Sequence, residues 1–94
     1  MTMRKPAEWM CSLDERILEH LDEEPWTMPR VLERELSMDA SEDRIRERCQ
    51  LLADADLIEP IHTEMYELTT WGRLYLEGEV DARHQPRPRP GRVL

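Results

Sequence analysis

Within residues 41–76, SEDRIRERCQLLADADLIEPIHTEMYELTTWGRLYL, the hydrophobic period changes twice. Ile45, Cys49 and Leu52, with Ala53 at the end, recur at helical spacing and make one apolar side. Leu57–Ile61 and Met65–Leu68 then read as paired strands, with His62, Thr63 and Glu64 as the turn. Trp71, Leu74 and Tyr75 return to helical spacing. A hairpin this short is marginal alone. It needs the flanking helices and something upstream to pack on.

The upstream half supplies two more helices. Ser12-Leu13-Asp14-Glu15 is a capping-box sequence with Ser12 as N-cap and Glu15 at the third helical position. Leu13, Ile17, Leu18 and Leu21 follow it, and Pro25 predicts a stop near Glu24. Trp26 reads as a hydrophobic plug on a very short strand. Thr27 is expected to cap a second helix with Pro29 in its first turn, where the missing N–H does no harm. Met28, Val31, Leu32 and Leu36 give that helix its apolar side. Ser37–Ala40 then makes a turn before Ser41 caps the third helix. Two helices joined by about four residues fit a helix-turn-helix. Thr69 or Thr70 caps a last helix running from Trp71 to about Val80. Pro60 cannot donate to a strand ladder, so its nitrogen is expected to face outward.

This order predicts an α+β, mainly α fold over residues 1–82: a three-helix core, a short β-hairpin wing and a C-terminal helix, that is, a winged helix-turn-helix. The main use of such a fold is to place one helix in a DNA groove. Residues 83–94, RHQPRPRPGRVL, read as an Arg/Pro-rich flexible tail, disordered or in polyproline II. It is also a candidate minor-groove arm or a strap on the acidic body.

Charge bears directly on that use. All 21 acidic residues lie in residues 1–82 against nine Lys and Arg, which leaves the body at −12. The last twelve residues add four arginines and no acid. Lys5 is the single lysine among thirteen basic residues. An acidic, lysine-poor surface over a normal apolar core suggests adaptation to high salt. At 1 M ionic strength the Debye length is about 3 Å, so self-repulsion of the body is slight there.

Other classes fit poorly. No apolar run approaches the roughly 20 residues needed to cross a bilayer. The N-terminus, MTMRKPAEWMCSLDERI, turns acidic too soon for a signal peptide. A soluble, cytoplasmic protein is expected. Cys11 and Cys49 form no metal-binding spacing, and His20, His62 and His84 are scattered, so no metal, cofactor or small-molecule ligand is expected. Cys49 reads as a buried apolar residue and Cys11 as partly exposed, with no disulfide. No nucleophile elbow, phosphate loop or supported acid pair appears, and an enzyme is not expected.

Trp9-Met10 before SLDERILEHL, then RIRERCQLLADADLIE, then YELTTWGRLYLEGEVDA, resemble the haloarchaeal winged-helix proteins grouped with the phi-H phage repressor. The resemblance covers about residues 4–83. Its most specific part is Tyr66-Glu67-Leu68-Thr69 with Gly72 and Tyr75-Leu76-Glu77-Gly78-Glu79. It implies a winged helix-turn-helix, DNA binding and a role in transcription control, as a repressor in a halophilic archaeon or its virus. Wings in such proteins commonly carry Gly and basic residues near the tip. Here His62–Glu67 holds two acids and no Gly, and reads as a structural hairpin more than a DNA-gripping one.

On a helical wheel, Arg46 and Gln50 lie one turn apart near the outward face of the third helix. Arg can pair with guanine and Gln with adenine in the major groove. Arg44 and Arg48 on the flanks, and Arg30 and Arg34 one turn apart on the second helix, are candidate phosphate contacts, joined by His62 and Thr63 at the wing turn. The competing reading pairs Arg44, Arg46 and Arg48 with Glu42, Asp43 and Glu47 at spacings of three and four. A separate alternative is a winged-helix interaction module, in which the acidic recognition face binds a protein and DNA contact is lost. The expected partners are double-stranded DNA and a second copy, since repressors commonly bind two half-sites as dimers. Trp9, Trp71, Leu74 and Leu76 are candidates for a dimer surface, Leu76 foremost. The alternative is that Trp9 and Trp71 complete the core.

Overall fold

The structure, a computed structural model, describes residues 3–35, 40–62 and 64–88. Its elements in chain order are α1 (Ser12–Glu23), α2 (Pro29–Glu35), α3 (Glu42–Asp54), β1 (Ile58–His62), β2 (Met65–Leu68) and α4 (Thr70–Leu76), followed by a 3₁₀ turn at Ala82–His84. The core is aliphatic. Ile17, Leu18, Leu32, Ile45, Cys49, Leu52, Leu57, Ile58 and Tyr75 pack into one cluster drawn from every helix and from β1. The expected three-helix core with hairpin and closing helix is therefore present. The expected turn at Ser37–Ala40 lies mostly outside the described residues, as do Leu36 and Thr63.

Several boundaries differ from the expectation. The cap of α1 is Cys11, one residue before Ser12. Asp14 is the acid that turns back to accept from the Cys11 N–H, at 2.9 Å. Glu15 is engaged elsewhere: it accepts from the Tyr75 hydroxyl and from Arg4 Nη1. Thr27 does not cap α2. Its N–H donates to Tyr66 O at 3.0 Å and its carbonyl accepts from Tyr66 N at 2.8 Å, a one-residue antiparallel bridge on the free edge of β2. Met28 supplies the first carbonyl of α2 instead, accepting from Val31 and Leu32. Trp26 is not a plug; it is 54% exposed, because the bridge begins one residue later. Ser41 caps α3 as expected, its hydroxyl accepting from Arg44 N at 3.2 Å.

The Thr27 bridge also explains Pro60. Tyr66 pairs with Pro60 on β1, yet both backbone groups of Tyr66 are already spent on Thr27. Pro60 therefore occupies a non-hydrogen-bonded pair, where the missing N–H costs nothing. The pairing shifts register between Pro60 and His62, leaving Ile61 as a bulge.

The link from wing to α4 is built by Leu68-Thr69-Thr70-Trp71-Gly72. Thr69 is the N-cap: its hydroxyl oxygen accepts from Gly72 N at 3.0 Å and its O–H donates to Asp56 O at 2.6 Å. Thr69 N also donates to Leu57 O at 3.2 Å. This draws α4 against the α3–β1 turn, where Asp56 holds φ 62°. A Cβ on Gly72 would lie 2.1 Å from Leu57 O and 2.5 Å from Leu68 Cδ1. Only glycine fits there.

α4 ends at Leu76, short of the expected Val80, because Gly78 takes φ 80° and Glu79 N turns back to Leu74 O at 2.8 Å. Tyr75 is fully buried, whereas Trp71, expected to face the domain, is 49% exposed. Residues 82–88 follow the body. Ala82 N donates to Lys5 O at 2.9 Å, Gln85 Nε2 to Ala55 O at 3.3 Å, and Arg87 pairs with Glu8 at 3.0 Å. Pro88 is buried. The first half of the Arg/Pro segment is thus strapped to the acidic body, while residues 89–94 lie outside the described set.

Candidate nucleic-acid interface

The outward side of α3 is framed by α2 before it and by the β1–β2 hairpin after it. Ile45, Cys49 and Leu52 hold the helix down by its buried side, and this aims Arg44, Arg46, Glu47 and Gln50 away from the core. Glu33 on α2 accepts from the Glu42 N–H at 2.9 Å, fixing the start of α3 against α2. Arg30 and Arg34 are exposed on α2, and His62 is exposed at the end of β1.

The two outward arginines of α3 are already paired. Arg44 Nη1 meets Glu47 Oε1 at 3.0 Å. Arg46 Nη2 reaches Glu42 and Glu64, each at 2.7 Å, and its Nη1 reaches Asp43 at 3.3 Å. Hydrogen bonding to Glu42, then to Glu64, raises the Arg46 guanidinium above its ordinary pKa. The pairs expected within α3 are therefore present for Arg44 and Arg46. The contact to Glu64 was not expected, and it ties the helix to the wing tip across 18 positions. Glu64 has φ 71°, a left-handed conformation that costs a residue with a Cβ about 1–2 kcal/mol.

Arg48 departs from the expectation altogether. It is 8% exposed and faces inward. Its Nε donates to Asp14 Oδ1 at 2.8 Å and its Nη2 to Asp14 Oδ2 at 2.5 Å and to Trp9 O at 3.0 Å. The guanidinium carbon lies 5.9 Å from the Trp9 ring centroid. Hydrogen bonding to the Asp14 carboxylate raises its pKa, against the burial that lowers it. A guanidinium held in this way is not available to a phosphate. The wheel put Arg48 on a flank, and nothing in the sequence around Asp14 marks it as the partner.

Trp9 is half-buried against the core and Leu76 likewise. Leu76 lines an open groove of about 680 Å³ with Met3, Pro6, Met10 and Tyr75, on α4 and the N-terminal segment. Among the described residues, no three His, Cys, Asp or Glu side chains converge as metal ligands, and no helix is long and apolar enough to cross a membrane.

A helix-turn-helix whose second helix is presented beside a β-hairpin defines the winged helix-turn-helix class of DNA-binding regulators. The chain belongs to the winged helix-turn-helix phage repressor family, whose model matches residues 3–85. It is also similar to the PhiH1 repressor-like protein from Haloarcula marismortui, known from a crystal structure. The two share 36% sequence identity and superpose with a TM-score of 0.86, over 93% of this chain and 99% of that one. No curated protein matches the chain.

Proposed function

We propose that the protein is a transcriptional repressor of a halophilic archaeon or its virus, acting in the cytoplasm as a homodimer on double-stranded DNA. In this reading α3 enters the major groove. Arg46 and Gln50 read base edges, and Arg44, Arg30 and Arg34 hold phosphates, with His62 and Thr63 at the wing. Arg48 is left out of the DNA-contacting set and serves the scaffold. The role is binding and not catalysis. The observation that carries the reading is the placement of Arg46 and Gln50 one turn apart on the outward side of α3, in a chain of the phage repressor family.

The acids on the same face fit concentrated salt. There the counterion-release gain from phosphate contacts is small, and hydrogen bonds to bases carry more of the discrimination. Support for a halophilic source comes from the −12 body and from the Haloarcula relative. The dimer rests on the habit of such repressors and on the apolar groove beside Leu76.

A second reading has one observation in its favour. Glu42, Asp43, Glu47 and Glu64 outnumber Arg44 and Arg46 on the face, as suits an interaction module that binds a basic protein. Selection of bound DNA from a random pool in molar KCl separates the two. The repressor reading expects a recovered motif with two related half-sites. A pool that stays random after repeated rounds overturns it.

A further inference from the structure

We propose that Glu64 at the wing tip is a positioning residue for Arg46, a built-in competitor for the guanidinium that sets how DNA affinity depends on salt. The inference rests on the reading of Arg46 as a DNA-contacting residue.

Two independent observations lead to Glu64. Its backbone sits at φ 71°, where glycine is favoured. Its carboxylate nonetheless crosses from the hairpin to α3 and meets Arg46 Nη2 at 2.7 Å. The contact offsets part of that backbone cost: Glu64 is an ion-pair partner that the wing offers to α3. The pair is open to water, with side-chain exposures of 31% for Arg46 and 54% for Glu64, so it exchanges readily with an incoming phosphate or base.

The exchange has a definite ion balance. When Arg46 enters the groove to meet a base edge, its charge still lowers the counterion density on the nearby phosphates, by up to about one cation. The Glu64 carboxylate, now unpaired beside a polyanion, takes one up. This uptake offsets the release; Glu42 and Asp43, which also give up the guanidinium, add an uptake of their own that a change at Glu64 leaves in place. Removing the Glu64 charge removes its share of the uptake and leaves the release unchanged. The slope of log K against log salt should then steepen by up to about 0.9, the increment of one phosphate contact on duplex DNA. Glu64 also holds the Arg46 fork from the wing side while Glu42 holds it from within α3, so the free helix already presents Arg46 in one place.

The test is a KCl series of DNA affinities on a selected site for the wild type, Glu64→Gln and Glu59→Gln. Glu59 is exposed on the same hairpin, paired across the strands with Glu67, and makes the same charge change away from Arg46. In parallel, the Arg46 Nε–H resonance of each free protein is followed by NMR. Glu64→Gln should gain affinity severalfold at low salt, lose the gain by molar KCl, and shift the Arg46 resonance; Glu59→Gln should do neither. Equal slopes for the two variants, or an Arg46 resonance unmoved by Glu64→Gln, overturn the proposal. The resonance needs no DNA. Wild-type protein that shows the pair but binds no selected DNA would refute the DNA reading, and with it the competitor role, while leaving the wing-to-helix contact established.

Discussion

Arg48 and Asp14, 34 positions apart, form a buried two-pronged ion pair that joins the middle of α3 to the first turn of α1. Asp14 is fully buried and also holds the Cys11 N–H, so one carboxylate fixes both the start of α1 and the seat of α3. Removing one partner of such a pair leaves a buried charge and costs about 3–5 kcal/mol. Arg48→Ala should therefore lower unfolding free energy by about 3 kcal/mol in urea titrations. The double variant Arg48→Met, Asp14→Leu should recover most of that. What it does not recover is the cap on Cys11, worth about 1 kcal/mol. If the double variant is no more stable than Arg48→Ala, the cost lies in packing and not in the orphaned carboxylate.

This pair marks the limit of what the chain shows before it is folded. Periodicity places α1, α3 and the core positions Ile17, Ile45, Cys49 and Leu52, because burial repeats locally along a helix. Ser41 and Thr69 are legible as caps for the same reason: the partner N–H is three residues away. Arg48 and Arg46 look alike on the wheel, and their fates are decided by Asp14 and Glu64, which lie far off in sequence. Long-range ion pairs leave no periodic trace. The one-residue bridge at Thr27 is equally silent, since it takes its meaning from Tyr66. The slip at the start of α1 comes from the same source, because Asp14 is claimed by Arg48 and the cap follows it.

Gly72 is required by contact and not by backbone angle. Alanine there would press its Cβ to 2.1 Å from the Leu57 carbonyl oxygen, and α4 would have to move off the α3–β1 turn. Overpacking of this kind costs typically about 1–3 kcal/mol, and a backbone atom as the obstacle puts Gly72→Ala at the upper end. Thermal unfolding measures it directly. A loss well under about 1 kcal/mol would show that α4 can slide, and that the Thr69 contacts to Gly72 and Asp56 do not hold it.

The two cysteines should differ sharply in reactivity. Burial, with the nearby Asp14 charge, pushes the Cys49 thiol up to about 12. Cys11 is half-buried at the start of α1. A thiol reagent at pH 8 should label Cys11 in the native protein and Cys49 only on unfolding. The unfolded thiol titrates near about 8.5. The folded value is the higher one, so the Cys49 contribution to stability is fully present below that pH and is lost as pH rises towards about 12. Cys49→Ala should flatten this part of the alkaline decline in unfolding free energy. Rapid labelling of both thiols in the native protein would contradict the packing of α3.

Salt should stabilise the fold. A body at −12 repels itself in dilute buffer, and screening over about 3 Å at 1 M removes most of that cost. The exposed pairs Arg44–Glu47 and Arg46–Glu42 weaken with screening too, but they are few against the excess of acids. The melting temperature should climb from low salt to molar KCl, as followed by calorimetry. A flat profile would sink the idea of a salt-adapted surface.

Arg46 and Arg34 should fail differently as alanines. In the proposed reading Arg46 meets a base edge, so Arg46→Ala should abolish the preference for the selected site and leave weak binding to all DNA. Arg34 is exposed on α2, where the backbone of the duplex would pass, and a phosphate contact carries no sequence information. Arg34→Ala should weaken specific and non-specific DNA alike, and should lower the salt slope by about 0.9, the share of one phosphate. Affinities on the selected site and on a scrambled duplex, each over a KCl series, separate the two roles. Small and equal losses from both substitutions would mean that neither guanidinium does what its position on the face suggests, and would move the weight to the reading in which this acidic face meets a protein.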